Sequence, residues 1–449
     1  MLAPASSIRD ESLRAVWTLA GPAIAQQLLH TAVFLVDRGM LGHHGADSLA
    51  SMQISSPVVW STYSLLAAFT VGSIALVGRC VGAGDRASAA AAVRASLGFA
   101  LVLGLLVTLA TPLLLPLVLH GLFPDAGAAV HTEATGYLGV ALPTMPLTLV
   151  SFTAAVCLQA AGDTRTPFLV AAAGNVVNVV ASYALVFGEL GMPSLGAQGA
   201  AIGSALAFGL ETVALLAVLA RRDGRVTWRG RGGEREATRR MLRVAGPSLG
   251  ERAIQHTGFL GFVAMIGALG PGAMAANQAL ISIESIVFLS ADGFGIAAAA
   301  LVAQRLGAGL PDHAERAGLA AAKLTVVVLS GVGVIYVAIP ELLLRAFTSD
   351  ADIVALGAPC LYAAAIAAPL MGAGVVFSEA LRGAGATREA LLVTFVGGLA
   401  VRLTVTAVLV FVLRWGLLGV WLGSTVDWGL RALLGWRIFR RGRWRTIEV

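Results

Sequence analysis

Charge is scarce in this chain. Of its 449 residues 12% are Asp, Glu, Lys or Arg, while 57% are hydrophobic. Soluble domains carry about 25% charged residues. So few charges cannot cover a surface in water, which excludes a string of soluble domains and leaves lipid as the solvent. Length alone would hold about three soluble domains, yet no polar block is long enough to fold by itself, so the chain reads as one integral membrane domain. Lysine is nearly missing: Lys323 is the only one, and the net charge of +6 rests on arginine. Cysteine is rare too. Cys80, Cys157 and Cys360 lie far apart, without metal or redox spacing, and read as small buried hydrophobes. HExxH and paired Cys/His clusters are absent, which argues against a membrane enzyme. The GAG turns at 82–84 and 307–309 are not followed by GK[ST], so they read as flexible turns and ATP is not the evident energy source. A secretory leader is not convincing either, because Asp10 and Glu11 interrupt the basic region and the apolar run behind them is long enough to span. Residues 1–17 are expected to form a short amphipathic lead-in.

Apolar runs recur from end to end. A span needs about 20 mostly apolar residues, and twelve candidates appear, near 13–37, 48–75, 92–119, 134–158, 166–188, 198–220, 241–268, 274–303, 317–345, 354–380, 390–413 and 417–438. Pro22, Pro57, Pro143, Pro247 and Pro369 fall inside spans and mark expected bends. Arginines crowd alternate gaps: Arg79, Arg86 and Arg94; Arg165; nine between Arg221 and Arg243; Arg305 and Arg316; Arg382 and Arg388; and five from Arg437 to Arg445. The other gaps hold Arg38, Arg345 and Arg414 beside Asp47, Asp125, Glu133, Glu189, Glu341, Asp350 and Asp352. The positive-inside rule then predicts that both termini and the long central loop are cytoplasmic.

The halves resemble each other. AGP at 20–22 recurs at 245–247, HGADSLASMQ at 44–53 aligns with LGPGAMAANQ at 269–278, and VGRCVGAG at 77–84 aligns with VAQRLGAG at 302–309, all at an offset of 225. LQAAGDTR at 158–165 meets LRGAGATR at 381–388, and GxxGxxxGS at 196–204 recurs at 416–424. Six spans per half make the repeat parallel, an arrangement typical of secondary transporters with a pathway between the halves. The expected domains are an N-terminal six-helix bundle (1–220), a cytoplasmic Arg-rich linker (221–240) and a C-terminal six-helix bundle (241–449).

FLVDRGMLGHHGADSLA, LQAAGDTRTPFLVAAAGNVVNVV and ERAIQHTGFLGFVAMIGALGPGAMAANQALISIES, followed by GFGIAAAALVAQRLGAG, resemble the first-helix, fourth-to-fifth-helix and seventh-to-eighth-helix segments of the multidrug and toxic compound extrusion (MATE) family, most of all its DinF-like branch. The resemblance covers nearly the whole chain. It implies an all-α membrane fold of two six-helix bundles arranged as a V. It also implies export of organic cations or other amphiphiles, driven by inward H⁺ or Na⁺.

Intramembrane ionisable residues invite a functional reading, because a charge at mid-bilayer costs about 2.5–3.5 kcal/mol on insertion scales. Asp37 is the first candidate. A carboxylate in a partly dry cavity can take up a proton and release it when its surroundings change; the alternative is a helix-end aspartate paired with Arg38. The resemblance implies ion coupling for Asp37 and a polar position beside it for Asn178, with Asn175 less defined. It departs at Ser182, where a second aspartate is expected and a hydroxyl cannot carry a proton near neutral pH, so Asp37 is left to act alone. His30, about two turns before Asp37 on the same face, either shares the proton or only hydrogen-bonds. In the second half Glu251, Glu284 and Glu379, with His256 and Gln278, are candidates to line the substrate cavity; for each glutamate the alternative is a structural pair or helix-end position. Their repeat counterparts are not acidic, so one bundle is expected to bind the ion and the other to offer negative charge to a cationic substrate. Asp427 with Arg402, or with Arg431 one turn on, reads as a structural pair. Asp292, Glu211 and Lys323 receive no role.

Four functions compete: a MATE-type antiporter, a lipid-linked oligosaccharide flippase of the same superfamily, a membrane enzyme and a non-transporting regulator. The antiporter is the expectation, working without a cofactor beyond its coupling ion. Its expected partners are a small amphiphilic or cationic substrate and membrane lipid, not nucleic acid. The protein is expected to act as a monomer in the cytoplasmic membrane.

Overall fold

Backbone polar groups have no water to bond inside a bilayer, so a spanning chain satisfies them within helices or closed barrels. This chain uses helices. The computed structural model describes residues 5–124 and 127–449, with side chains from Ser12 onward except that of Leu122. The first residues of the expected lead-in, the side chains of Asp10 and Glu11, and Asp125 lie outside the described residues. Among the described residues sixteen α-helices follow one another and no strand forms.

In the first half they are α1 (Ala5–His44), α2 (Ala46–Leu66), α3 (Thr70–Gly82), α4 (Arg86–Pro116), α5 (Ala128–Ala141), α6 (Met145–Ala160), α7 (Arg165–Phe187) and α8 (Ala197–Leu219). The second half holds α9 (Glu234–Gly267), α10 (Pro271–Gly307), α11 (Pro311–Ala338), α12 (Pro340–Arg345), α13 (Ala351–Gly383), α14 (Thr387–Thr394), α15 (Arg402–Ala407) and α16 (Gly416–Arg441). A 3₁₀ turn at Ala67–Phe69 joins α2 to α3 in one span. α5 and α6 are bent by 51° at a short break that holds Pro143.

Nine of the described helical segments are long and apolar enough to cross a membrane, ten with the bent α5–α6 pair. The two of the twelve expected spans that fall short are those of α9 and α16. α9 carries Glu251, Arg252, Gln255 and His256, and α16 carries Asp427 and Arg431. Their lower apolar content has a structural cause, because Glu251, Asp427 and Arg431 are buried in ion pairs. Large apolar side chains elsewhere point outward: Leu109 is 78% exposed, Leu113 76%, Val213 69% and Leu260 69%. Side chains of that kind are buried in water-soluble proteins; here they offer a surface to lipid.

The internal repeat is visible in the backbone. α2 and α10 follow Gly45 and Gly270, and α4 and α11 follow Asp85 and Leu310. Left-handed turns recur in register: Gly84 and Gly309 at φ 72° and 73°, Gly162 and Gly385 at 83° and 84°, Gly196 and Gly416 at 53° and 57°. In the second half a stretch of π-helix, Phe395–Val401, adds one residue relative to α7.

The chain divides into two compact units, one of Ala25–Val81 and Asp85–Leu242, the other of Met1–Ile24, Gly82–Gly84 and Arg243–Val449. Among the described residues of the first unit, one core lies around Leu138, Leu142 and Met145 and another around Leu41 and Val186. The second unit is centred on Trp421, Phe294 and Phe439, with the Phe439 and Trp444 rings stacked at 4.6 Å. The segment expected as linker is irregular only through Gly233, since α9 already begins at Glu234. Arg94 of α4 ties it down: its Nε donates to Glu234 Oε1 at 2.6 Å and its Nη2 to the Gly232 carbonyl at 2.8 Å.

Two outcomes follow. Helices pack through small residues, and a Cβ at Gly383 of α13 would collide with the Ala299 backbone of α10. Gly383→Leu is expected to lower stability by about 1–3 kcal/mol or more, read as the unfolding midpoint in detergent, while Gly331→Ala, with open space around it, leaves the midpoint in place. An equal midpoint for both variants would exclude this contact as a packing constraint. At the linker, the Glu234 carboxyl is held below the usual range by the first backbone amide of its own helix and then by Arg94. A lowered carboxyl value means the tether is fully present above the ordinary glutamate range and lost as pH falls through the lowered value. Arg94→Ala should therefore increase protease cleavage within 221–233 at neutral pH, and acid should do the same to the parent.

Candidate functional site

The first unit gathers its polar side chains on the facing sides of α7 and α8. Gly174, Asn178 and Ser182 recur every four residues on α7, as Gly203, Ala207 and Glu211 do on α8, so each set forms one stripe. The two stripes meet antiparallel. A Cβ at Gly203 would collide with the Ser182 hydroxyl, one at Gly199 would lie 2.6 Å from the Leu185 carbonyl oxygen, and one at Gly174 would lie 2.7 Å from Glu211 Oε1. The glycines let the helices approach until the polar groups between them are sealed: Ser182 is 0% exposed and Asn178 3%.

Asp37 reaches this face from α1. It is not a helix-end residue, since the helix continues to His44. Its carboxylate is half-buried and faces the Ser182 hydroxyl and the Asn178 amide. Among the described residues no ion pair joins it to Arg38, whose guanidinium sits 4.3 Å over the Phe34 ring. Asn178 Nδ2 donates to Ser204 Oγ at 2.9 Å. Four buried polar atoms here have no hydrogen-bond partner among the described residues: Asp37 Oδ1, Asn178 Oδ1, Ser182 Oγ and Asn175 Nδ2. Three are oxygens, which suit a proton or a hard cation. The sequence candidates Asp37, Asn178 and Ser182 are thus brought together. His30 is half-buried on α1 with no polar contact to them described.

The candidates of the second unit are placed differently. Glu251 is 2% exposed and accepts from Arg382 Nη2 at 2.6 Å, Arg382 Nε at 3.1 Å and Thr394 Oγ1 at 2.6 Å. Glu379 pairs with the same guanidinium one turn away. Both carboxylates therefore share one guanidinium inside the unit. Arg382, which sequence spacing counts as a gap arginine, is buried in the last turn of α13. Its role was missed because a helix-end arginine and a loop arginine look alike in a linear chain. Glu284 is half-buried on α10, with Arg402 as its charged neighbour. His256 is half-buried. Gln278 is exposed, and its neighbour Asn277 is the one that is buried, 6% exposed with Oδ1 unpartnered. Both structural pairs expected at Asp427 are present: Arg431 Nε at 2.7 Å and Arg402 Nη1 at 3.7 Å, with Asp427 fully buried.

Removing one member of a buried pair leaves an uncompensated charge and costs about 3–5 kcal/mol. Arg382→Leu, which strands two carboxylates, should lower the detergent unfolding midpoint more than Glu251→Gln. Adding Glu251→Gln to Arg382→Leu should recover part of the loss, a coupling that a double-mutant cycle measures. Additive effects would deny the pair.

Two stretches match the model of the MatE family, residues 22–184 and 247–408. Their starts are 225 residues apart, the offset of the internal repeat. A probable multidrug resistance protein NorM of Thermotoga maritima is 29% identical over 98% of this chain and 94% of its own length. A probable multidrug resistance protein NorM of Deinococcus radiodurans is 30% identical over 96% and 95%. Among solved structures, an outward-facing multidrug resistance transporter of the MATE family and MOP superfamily superposes with a TM-score of 0.88 at 21% identity, over 96% of this chain and 95% of that one. A MOP superfamily transporter from Pyrococcus furiosus, described as having a binding pocket of reverse polarity that suggests a different function, gives 0.89 at 20% identity over 97% of each. These likenesses, spread over nearly the full length and repeated in both halves, make the chain an integral membrane protein of the MatE family.

Proposed function

We propose that this protein is a secondary active antiporter that exports amphiphilic or cationic small molecules across the cytoplasmic membrane in exchange for H⁺ or Na⁺ by alternating access, with both termini in the cytoplasm. The observation that carries the reading is Asp37, a half-buried carboxylate with an open oxygen, facing Ser182 and Asn178. Such a group exchanges an ion more readily than one locked in an ion pair, because loading and unloading break no buried salt bridge. The names of the relatives support export of drug-like molecules as the cargo.

The energetics suit a carrier. One charge moving through about 100 mV releases about 2.3 kcal/mol, enough for roughly a fifty-fold gradient at about 1.36 kcal/mol per decade. In the second unit, Glu284 remains the acidic candidate for contact with a cation, since Glu251 and Glu379 are held by Arg382. A flippase for lipid-linked oligosaccharides is a second reading. The buried arginines of the second unit favour it, because Arg402 keeps a buried Nε unpartnered and could meet a phosphate.

Everted vesicles containing the protein should extrude a fluorescent organic cation when a gradient is imposed. H⁺ and Na⁺ gradients applied separately identify the coupling ion. Asp37→Asn, expressed at the parental level, should lose uphill transport by at least about tenfold, the scale of an ordinary coupling free energy. Unchanged transport with unchanged ion dependence would refute the assignment, and translocation of a lipid-linked sugar without cation efflux would replace it with the flippase.

A further inference from the structure

Superposing the two halves by their repeat exposes a second carboxylate. The offset is 223 at LQAAGDTR and LRGAGATR, and 220 at the GxxGxxxGS motifs. The π-helical stretch Phe395–Val401 adds one residue, so the later part of α7 aligns at 224. Packing supports this register. Gly203 lies against the hydroxyl of Ser182 as Gly423 lies against that of Thr406. One turn pair further on, Gly174 lies against Glu211 as Gly398 lies against Arg431. Glu211 and Arg431 therefore occupy the same place in the two units, at an offset of 220.

The neighbours of that place differ. Arg431 is answered by Asp427 on its own helix. The counterpart of Asp427 is Ala207, which carries no charge. Glu211 is 7% exposed, and among the described residues it has neither hydrogen bond nor ion pair, while no charged or titratable side chain of α2, α5, α6 or α7 acts on it. Its flank is Gly174 of α7, and Thr212 beside it turns away to the Leu147 carbonyl of α6. A structural carboxylate in such a place would be expected to keep a partner, as each buried carboxylate of the second unit near Arg382 and Arg431 does.

A file of polar groups leads from it. Asn178 is one turn from Gly174 along α7, about 6 Å, and Ser182 is one turn further. Asn175, Asn178, Ser182 and Asp37 each hold one buried polar atom with open hydrogen-bonding capacity. These are independent of Glu211 and mark the same face.

We propose that Glu211 is a proton-carrying group, joined through Asn175, Asn178 and Ser182 to Asp37, and that it supplies in α8 the second carboxylate that Ser182 cannot. The proposal rests on the ion-coupled reading of the chain. Glu211 takes up a proton as a neutral carboxylic acid and gives it back as a carboxylate, and the open side-chain atoms along α7 provide donors and acceptors between the two acids.

The test uses the full-length protein in liposomes with a fluorescent organic cation, together with infrared titration of its carboxyl groups. Glu211→Gln keeps shape and removes the proton. It should cut proton-driven efflux by about tenfold, flatten its pH profile and delete one titrating protonated-carboxyl absorbance. Glu211→Asp should restore the pH profile and retain that absorbance. If the Gln variant does not fold, Gly174→Ala provides the second reading, because its methyl would lie against Oε1 and should shift the same absorbance. An unchanged pH profile and an unchanged infrared titration in Glu211→Gln, or an unmoved absorbance in Gly174→Ala, would overturn the proposal. Should the parent show no ion-driven efflux, the antiporter reading fails, while the infrared titration still decides whether Glu211 takes up a proton.

Discussion

An ionised group held away from water has to be answered by an opposite charge, by hydrogen bonds, or by a proton that removes the charge. In a chain with so few polar residues this requirement governs where each buried charge can stand. The second unit answers with ion pairs, Arg382 with Glu251 and Glu379, and Asp427 with Arg431 and Arg402. These pairs explain how α9 and α16 can keep charges and still be part of a membrane fold. The first unit answers differently, with Asp37 beside the Ser182 hydroxyl and the Asn178 amide and Glu211 against Gly174 without an ion pair among the described residues.

The repeat makes the contrast sharp because the scaffold is held constant. Gln26 and Gln159 share a neutral hydrogen bond at 3.2 Å where their counterparts, Glu251 and Arg382, form an ion pair. Ala207 and Glu211 stand where Asp427 and Arg431 pair. Two copies of one helix arrangement thus carry opposite solutions to the same electrostatic problem. Paired charges fix a unit in one arrangement, whereas an unpaired acid changes its charge by gaining or losing a proton. Among the described residues Glu284 of the second unit also stands outside these ion pairs.

Several features were legible in the linear chain. Apolar run length gave the helices, since the bilayer demands about 20 residues per span. Repeated glycine motifs gave the repeat, since left-handed turns and close helix packing both require that residue. The site around Asp37 was legible because FLVDRG and NVVN are local signals. Glu211 was not, because nothing along the sequence says that its helix turns it toward Gly174. Glu251 and Glu379 were legible as intramembrane acids, but not as members of a pair, since Arg382 lies 131 residues from Glu251.

The sequence by itself determined the solvent, the helical class, the doubling of the scaffold and the residue types able to hold an ion. These follow from composition and from periods of a few residues, which are local quantities. Only the tertiary structure decided which acids stand in ion pairs and which do not. That depends on what stands across from each carboxylate, and in a helical membrane protein the opposite side chain comes from a helix distant in the chain.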